Sequence, residues 1–204
     1  ENDALHYGNV YISFSRFARQ ARQQVNPRWG QSISLGYRHA FDYRDSRKFV
    51  ANSNFYFPGL SGNHSFVVNA SLQQRDTLPD LFSNTFPYSR GYDALSTRSM
   101  YKLGANYQFP LLYPDWGFGN MIFFQRIRAN AFFDYTSARA RLNGQLTDIV
   151  NRSAGGELFF DTKVWNALPL SFGVRYARLL DTNLRNPSVQ NRWEFIVPIG
   201  FVPD

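Results

Sequence analysis

A period of two runs through most of this chain and constrains its fold more than any single motif. Tyr101, Leu103, Ala105, Tyr107 and Phe109 alternate with Lys102, Gly104, Asn106 and Gln108. An extended backbone sends these two sets to opposite faces. Nine stretches behave in this way, at about Tyr7–Phe17, Trp29–Tyr43, Arg47–Phe57, Asn63–Arg75, Tyr101–Phe109, Asn120–Tyr135, Arg152–Lys163, Leu170–Tyr176 and Asn191–Phe201. In the sixth, Phe123, Ile127, Ala129, Ala131 and Phe133 share the apolar face, opposite Arg126, Arg128, Asn130 and Asp134. In the eighth, Arg175 stands between Val174 and Tyr176. Several stretches reach ten residues or more, which suits tilted membrane strands better than the ~5–6 residues of an ordinary sheet strand.

Composition separates the remaining classes. Aromatic residues make up 18% of the 204, yet mean hydropathy is −0.39. A barrel with apolar side chains outward and a polar lumen accounts for both values. No run approaches the ~18–20 apolar residues of a spanning helix. There is no cysteine, hence no disulfide frame and no thiolate metal site. The formal charge of +7 comes from arginines spread along the chain rather than gathered in a patch, which argues for lumen lining or headgroup contact and against nucleic acid.

The connections also differ among themselves. Those near 77–97, 136–151 and 181–190 are polar, and the first two are long, whereas those near 58–62 and 165–168 are short. Outer-membrane barrels carry long loops outside and short turns on the periplasmic side. The interval 110–119 is long for a periplasmic turn, but its Tyr113 and Trp116 suit an interfacial belt. Nine strands counted back from a periplasmic end start on the outer side. The expected fold is therefore all-β, an antiparallel transmembrane β-barrel of which residues 1–204 supply the C-terminal eight or nine strands. The 77–97 connection is expected as an extracellular loop folded toward the lumen.

Within that connection lies Arg90-Gly91-Tyr92, preceded by Phe86-Pro87-Tyr88. Asp134 falls on the polar face with Arg126 and Arg128. A charge in a partly dry lumen needs an opposite partner, and an arginine fork can donate two N–H groups to one carboxylate. Arg90 and Asp134 are thus an expected pair, with Asn106, Gln108, Arg126, Arg128 and Arg175 as lumen-facing residues.

Around this tripeptide the chain resembles the C-terminal barrel of the Omp85 superfamily, the bacterial surface antigens that act as outer-membrane insertases and translocases. That family has a Val-Arg-Gly-Phe/Tyr loop followed by five strands, a Gly-acidic-Phe-Pro strand and then a Phe-x-Asp-x-Gly strand. The counterparts here are Ser89-Arg90-Gly91-Tyr92, Gly104 through Phe109-Pro110, and Phe132-Phe133-Asp134. Departures stand at Ser89, at Gln108 in place of an acidic residue, and at Tyr135-Thr136 in place of the glycine-containing end. The resemblance implies a lumenal Arg90–Asp134 contact, a Gram-negative outer-membrane location, and a role in protein transport or membrane assembly. It also implies outer-membrane lipid and lipopolysaccharide as surroundings, and as partners other proteins or the remaining part of the same barrel. A passive pore or a scaffold anchoring partner proteins is the alternative function.

Catalytic signatures are missing. His6, His39 and His64 lie in separate segments without metal-ligand spacing, and no G-x-S-x-G or H-E-x-x-H motif occurs. Neither an enzyme nor a cofactor is expected.

Overall fold

The computed structural model describes residues 6–21, 23–41, 46–76, 86–95, 97–119, 121–142, 145–165 and 167–197. These form an all-β, antiparallel sheet of ten strands. In chain order they are β1 (Tyr7–Phe17), β2 (Gly30–Ala40), β3 (Ser46–Pro58), β4 (Ser65–Arg75), β5 (Ser99–Leu112), β6 (Trp116–Phe118), β7 (Ile122–Leu142), β8 (Gln145–Val164), β9 (Leu168–Leu179) and β10 (Asn191–Ile196). Each strand pairs with its sequence neighbour, except that β6 is a short flap on β7 while β5 pairs directly with β7. Among the described residues β1 and β10 are not paired with each other, so the sheet is open rather than closed into a barrel.

Antiparallel pairing puts opposed residues on a common face, which makes the alternation of each strand a property of the whole sheet. One face collects Ile12, Phe14, Ile33, Leu35, Leu103, Phe133 and Phe195, all exposed. The other collects Ser65, Gln73, Asn106, Asn130, Asp134, Ser153 and Glu157, all buried. Phe195 is 70% exposed while Asp134 is 0% exposed. Large apolar side chains thus lie on the exposed face and polar ones on the buried face, where the Asp134 carboxylate is paired with Arg90.

The polar face is buried because two connections lie on it. From one end of the strands comes the segment 86–93, with Phe86 packed on Met100 and Ala138 and Tyr88 beside them. From the other end comes the β1–β2 connection, where the Gln24 carbonyl accepts from Arg126 at 3.0 Å and Asn26 donates to Gln108 at 3.0 Å. Tyr113, expected as an interfacial residue, donates its hydroxyl to the Gln23 carbonyl at 2.5 Å.

Three local expectations are corrected. The interval 136–151 is not a long loop: β7 and β8 run on to Leu142 and from Gln145, with Ser137 opposite Val150 and Arg139 opposite Asp148. Polar residues occupy both faces there, with Arg139 and Asp148 joined at 2.9 Å, so no apolar alternation marks the ladder. Second, β6 lies inside 110–119, where three residues are too few to show a period. Positive φ angles at Asp115 and Gly119 bracket it. Third, Phe123 belongs to the polar face, not with Ile127. Pairing passes from Phe124↔Thr162 to Arg126↔Asp161, leaving Gln125 as the extra residue of a bulge that inverts the parity. The last strand ends at Ile196, and the expected continuation through Pro198 to Phe201 lies outside the described residues. So do residues 77–85 and 96 of the 77–97 connection.

Candidate functional site

Asp134 sits on β7 between Gly104 of β5 and Ser153 of β8. Both neighbours are small, which leaves room above the carboxylate. A side-chain carbon at Gly104 would lie 2.9 Å from Asp134 Oδ1.

Arg90 fills that room from the connection above. Its backbone N–H donates to Asp134 Oδ2 at 3.0 Å and its Nε to the same oxygen at 2.7 Å. Nη2 donates to Asp134 Oδ1 at 2.9 Å and to Asn106 Oδ1 at 2.7 Å, while Nη1 reaches Glu157 Oε2 at 3.2 Å. The guanidinium also lies over the Phe132 ring, 3.7 Å from its centroid. A planar fork can satisfy all these partners at once, which an ammonium group cannot.

A ring of further contacts surrounds the pair. Lys102 Nζ is 3.5 Å from Asp134 Oδ2 and donates to the Tyr88 carbonyl at 2.9 Å. Asn130 donates to Glu157 at 2.6 Å, and Arg175 bridges Glu157 at 2.6 Å and Glu194 at 2.8 Å. Arg90, Lys102 and Arg175 therefore face Asp134, Glu157 and Glu194, so the cluster balances its own charge. Burial alone would lower the pKa of Arg90, but the hydrogen bonds and charge of Asp134, with Glu157 behind it, raise it above the ordinary value.

The rest of the segment is held as firmly. Ser89 Oγ is 2.7 Å from Thr136 Oγ1 and donates to the Asn151 carbonyl at 3.0 Å. The Tyr92 hydroxyl accepts the Asp181 N–H at 2.9 Å and lies 2.9 Å from the Arg152 carbonyl oxygen, and burial pushes its pKa up. Arg192 of β10 donates to the Gly91 carbonyl at 3.1 Å and to Asp93 at 3.2 Å. The segment thus touches β5, β7, β8 and β10, joining strands that are not neighbours in the sheet.

Gly91 makes the turn possible. Its φ is +86°, and an added Cβ would sit 2.8 Å from Leu179 Cδ2 and 3.0 Å from Ala177 Cβ. Gly91→Ala is expected to cost about 2 kcal/mol from backbone strain and crowding together. Gly62→Ala, where nothing lies within 4 Å, serves as the control. Urea midpoints of the two variants check this, and equal midpoints would remove the steric role of Gly91.

Of the residues singled out from sequence, Arg90, Asp134, Asn106 and Arg175 meet in one cluster. Arg126 and Arg128 form a second, nearer the other end of the sheet. Both bind Asp161, at 2.7 and 3.2 Å, and Ser171 donates to the same carboxylate at 2.7 Å. Gln108 shares the polar face but bonds Asn26 instead. Sequence reasoning missed Lys102, Phe132, Asn130, Glu157 and Arg192 as members of the site. Glu157 alternates with Leu158 and Phe160, which marks its face, but its nearness to Arg90 depends on the β7–β8 register.

Chemically the cluster is a lock. Its carboxylates are engaged by cations, and among the described residues no group of three or more His, Cys, Asp or Glu side chains could hold a metal ion. Comparisons with protein-family models, with curated proteins and with solved structures each return no match.

Proposed function

We propose that this chain is part of the wall of an Omp85-like outer-membrane barrel that takes part in assembling, inserting or translocating other proteins. The observation that carries the reading is the segment 86–93 lying on the polar face, with Arg90 forked on Asp134 across 44 residues of sequence. The connection pinned along the inner wall to strands as far apart as β5 and β10 occupies lumen space that a wide, open pore would leave to water.

Lipid contact is supported by the inverted burial. The apolar face of β9 runs from Leu168 to Arg178, which spans roughly 33 Å along the strand. Tilted by about 45°, that matches an apolar band about 25 Å tall. Tyr101 and Tyr135 stand toward one edge of the face, and Trp116 and Phe124 toward the other, in the manner of interfacial belts. On this reading the open edges of β1 and β10 meet further strands of the same barrel or of a partner protein, since unpaired strand edges cannot face lipid. Polar side chains on the lumenal wall face water and the lock.

Depletion of the protein in its own cell tests the proposal. Folded outer-membrane β-proteins are expected to fall in abundance, read by heat-modifiable migration, before permeability to small solutes changes. A change in permeability alone, with client abundance intact, would assign the passive-pore alternative.

A further inference from the structure

On the apolar face the side chains are not evenly filled. Ala129, Ala131 and Gly156 form the floor of a groove of about 610 Å³. Phe109 walls it on one side and Tyr176 with Trp193 on the other, the last two rings being 4.9 Å apart. Its exposed lining is almost wholly apolar.

Nothing in the packing of the sheet requires a glycine at this floor. At Gly155 an added Cβ would lie 2.0 Å from the Tyr176 carbonyl oxygen, and at Gly173 it would lie 2.4 Å from that of Leu158. At Gly156 the nearest atom would be 3.8 Å away, an ordinary contact. The missing side chain there keeps the groove open and serves no backbone approach.

A charge stands beside the open groove. Arg178 follows Tyr176 by two residues on β9 and so shares its face, about 7 Å farther along the strand. It lies opposite Ala154 on one side and Asn191 on the other, is exposed, and makes no ion pair among the described residues. Asn191 is already committed to accepting from the Tyr176 hydroxyl, at 2.8 Å. An exposed arginine on the same face as an apolar groove, about 7 Å along the strand from its Tyr176 wall, matches a lipid with an anionic phosphate and a buried chain.

We propose that this groove seats one acyl chain of lipid A, the phosphorylated glycolipid of the outer leaflet, with Arg178 receiving its phosphate. The inference rests on the barrel reading above, which puts the Arg178 end of β9 at the outer side with the segment 86–93. The aromatic walls and flat floor suit a flexible hydrocarbon chain, and the guanidinium fork suits the phosphate oxygens.

Native mass spectrometry of the purified full chain in detergent tests it. The probes are hexa-acylated bisphosphorylated lipid A, its dephosphorylated form, and phosphatidylglycerol. Lipid A is expected to bind best. Gly156→Leu, which fills the floor, and Arg178→Glu should each weaken it about tenfold or more. Arg178→Glu should not weaken the dephosphorylated form further. Unchanged lipid A affinity in either variant, or equal retention of phosphatidylglycerol, overturns the proposal. Ala131→Leu fills the same floor and takes the place of Gly156→Leu if that variant loses heat-modifiable migration. Insertion of the wild type, together with the strands or partner that complete the barrel, into lipid vesicles is measured alongside: absence of insertion of that complete assembly refutes the barrel reading itself, whereas insertion with indifferent variants refutes only the lipid A site.

Discussion

Arg90→Ala should destabilise the folded protein by roughly 3–5 kcal/mol, the cost of leaving a buried charge without its main partner. Asp134 is fully buried and receives three of its hydrogen bonds from Arg90. One of the three comes from the backbone and depends on the side-chain fork to keep the segment in place. Lys102, 3.5 Å away, retains part of the compensation, which sets the effect toward the lower end of that range. Glu157 loses less, because Arg175 and Asn130 still bond it. Arg90→Lys keeps the charge but cannot reach Asp134, Asn106 and Glu157 together, so an intermediate loss is expected. The double variant Arg90→Ala/Asp134→Ala should be more stable than Arg90→Ala alone, because the stranded carboxylate is gone. Urea unfolding in lipid or detergent, with protease cleavage near Tyr88 as a local readout, checks each step. An unfolding free energy for Arg90→Ala within about 0.5 kcal/mol of wild type would remove the lock.

The second large effect concerns the two faces. Ile33 and Ser34 are adjacent on β2, so they share a depth along the strand and differ only in direction. Ile33 is on the exposed apolar face opposite Phe14 and Ser53, and Ser34 is on the polar face opposite Ser13 and Asn52. If the apolar face meets lipid, Ile33→Arg costs insertion and folding energy, up to roughly 2–4 kcal/mol for a site at the bilayer midplane. Ser34→Arg puts its guanidinium among polar groups and should change little. Both sites are remote from the Arg90 cluster, so the contrast reports on the faces alone. Folding into vesicles, followed by heat-modifiable migration, gives the measurement. Equal losses in the two variants would refute the lipid-facing assignment.

The strands were legible in sequence because the two faces meet different surroundings, and a period of two records that difference residue by residue. β1 matches its expected bounds and β4 differs only at its first residues. Legibility failed where the difference vanished. The end of β7 toward Leu142 and the facing end of β8 carry polar side chains on both faces, so Arg139 and Asp148 read as loop residues although they sit in a ladder. Phe123 was misassigned because a period of two holds only until a bulge, and Gln125 carries no mark that distinguishes it from a paired residue.

The site divides along the same line. The sequence by itself supplied an arginine in a turn-rich connection, an aspartate on a polar face, and the chemical reason for such a pair to meet. Local alternation is enough to decide a face, since it depends only on neighbouring residues. Tertiary structure decided which residues surround the pair. Glu157, Asn106 and Phe132 converge on Arg90 through the registers of β5, β7 and β8, and register is a relation between strands far apart in sequence. Arg192 joins the same segment from 99 residues beyond Asp93, and no local pattern contains that distance. The openness of the sheet was likewise a tertiary result, because alternation fixes which way side chains point but not which edges meet.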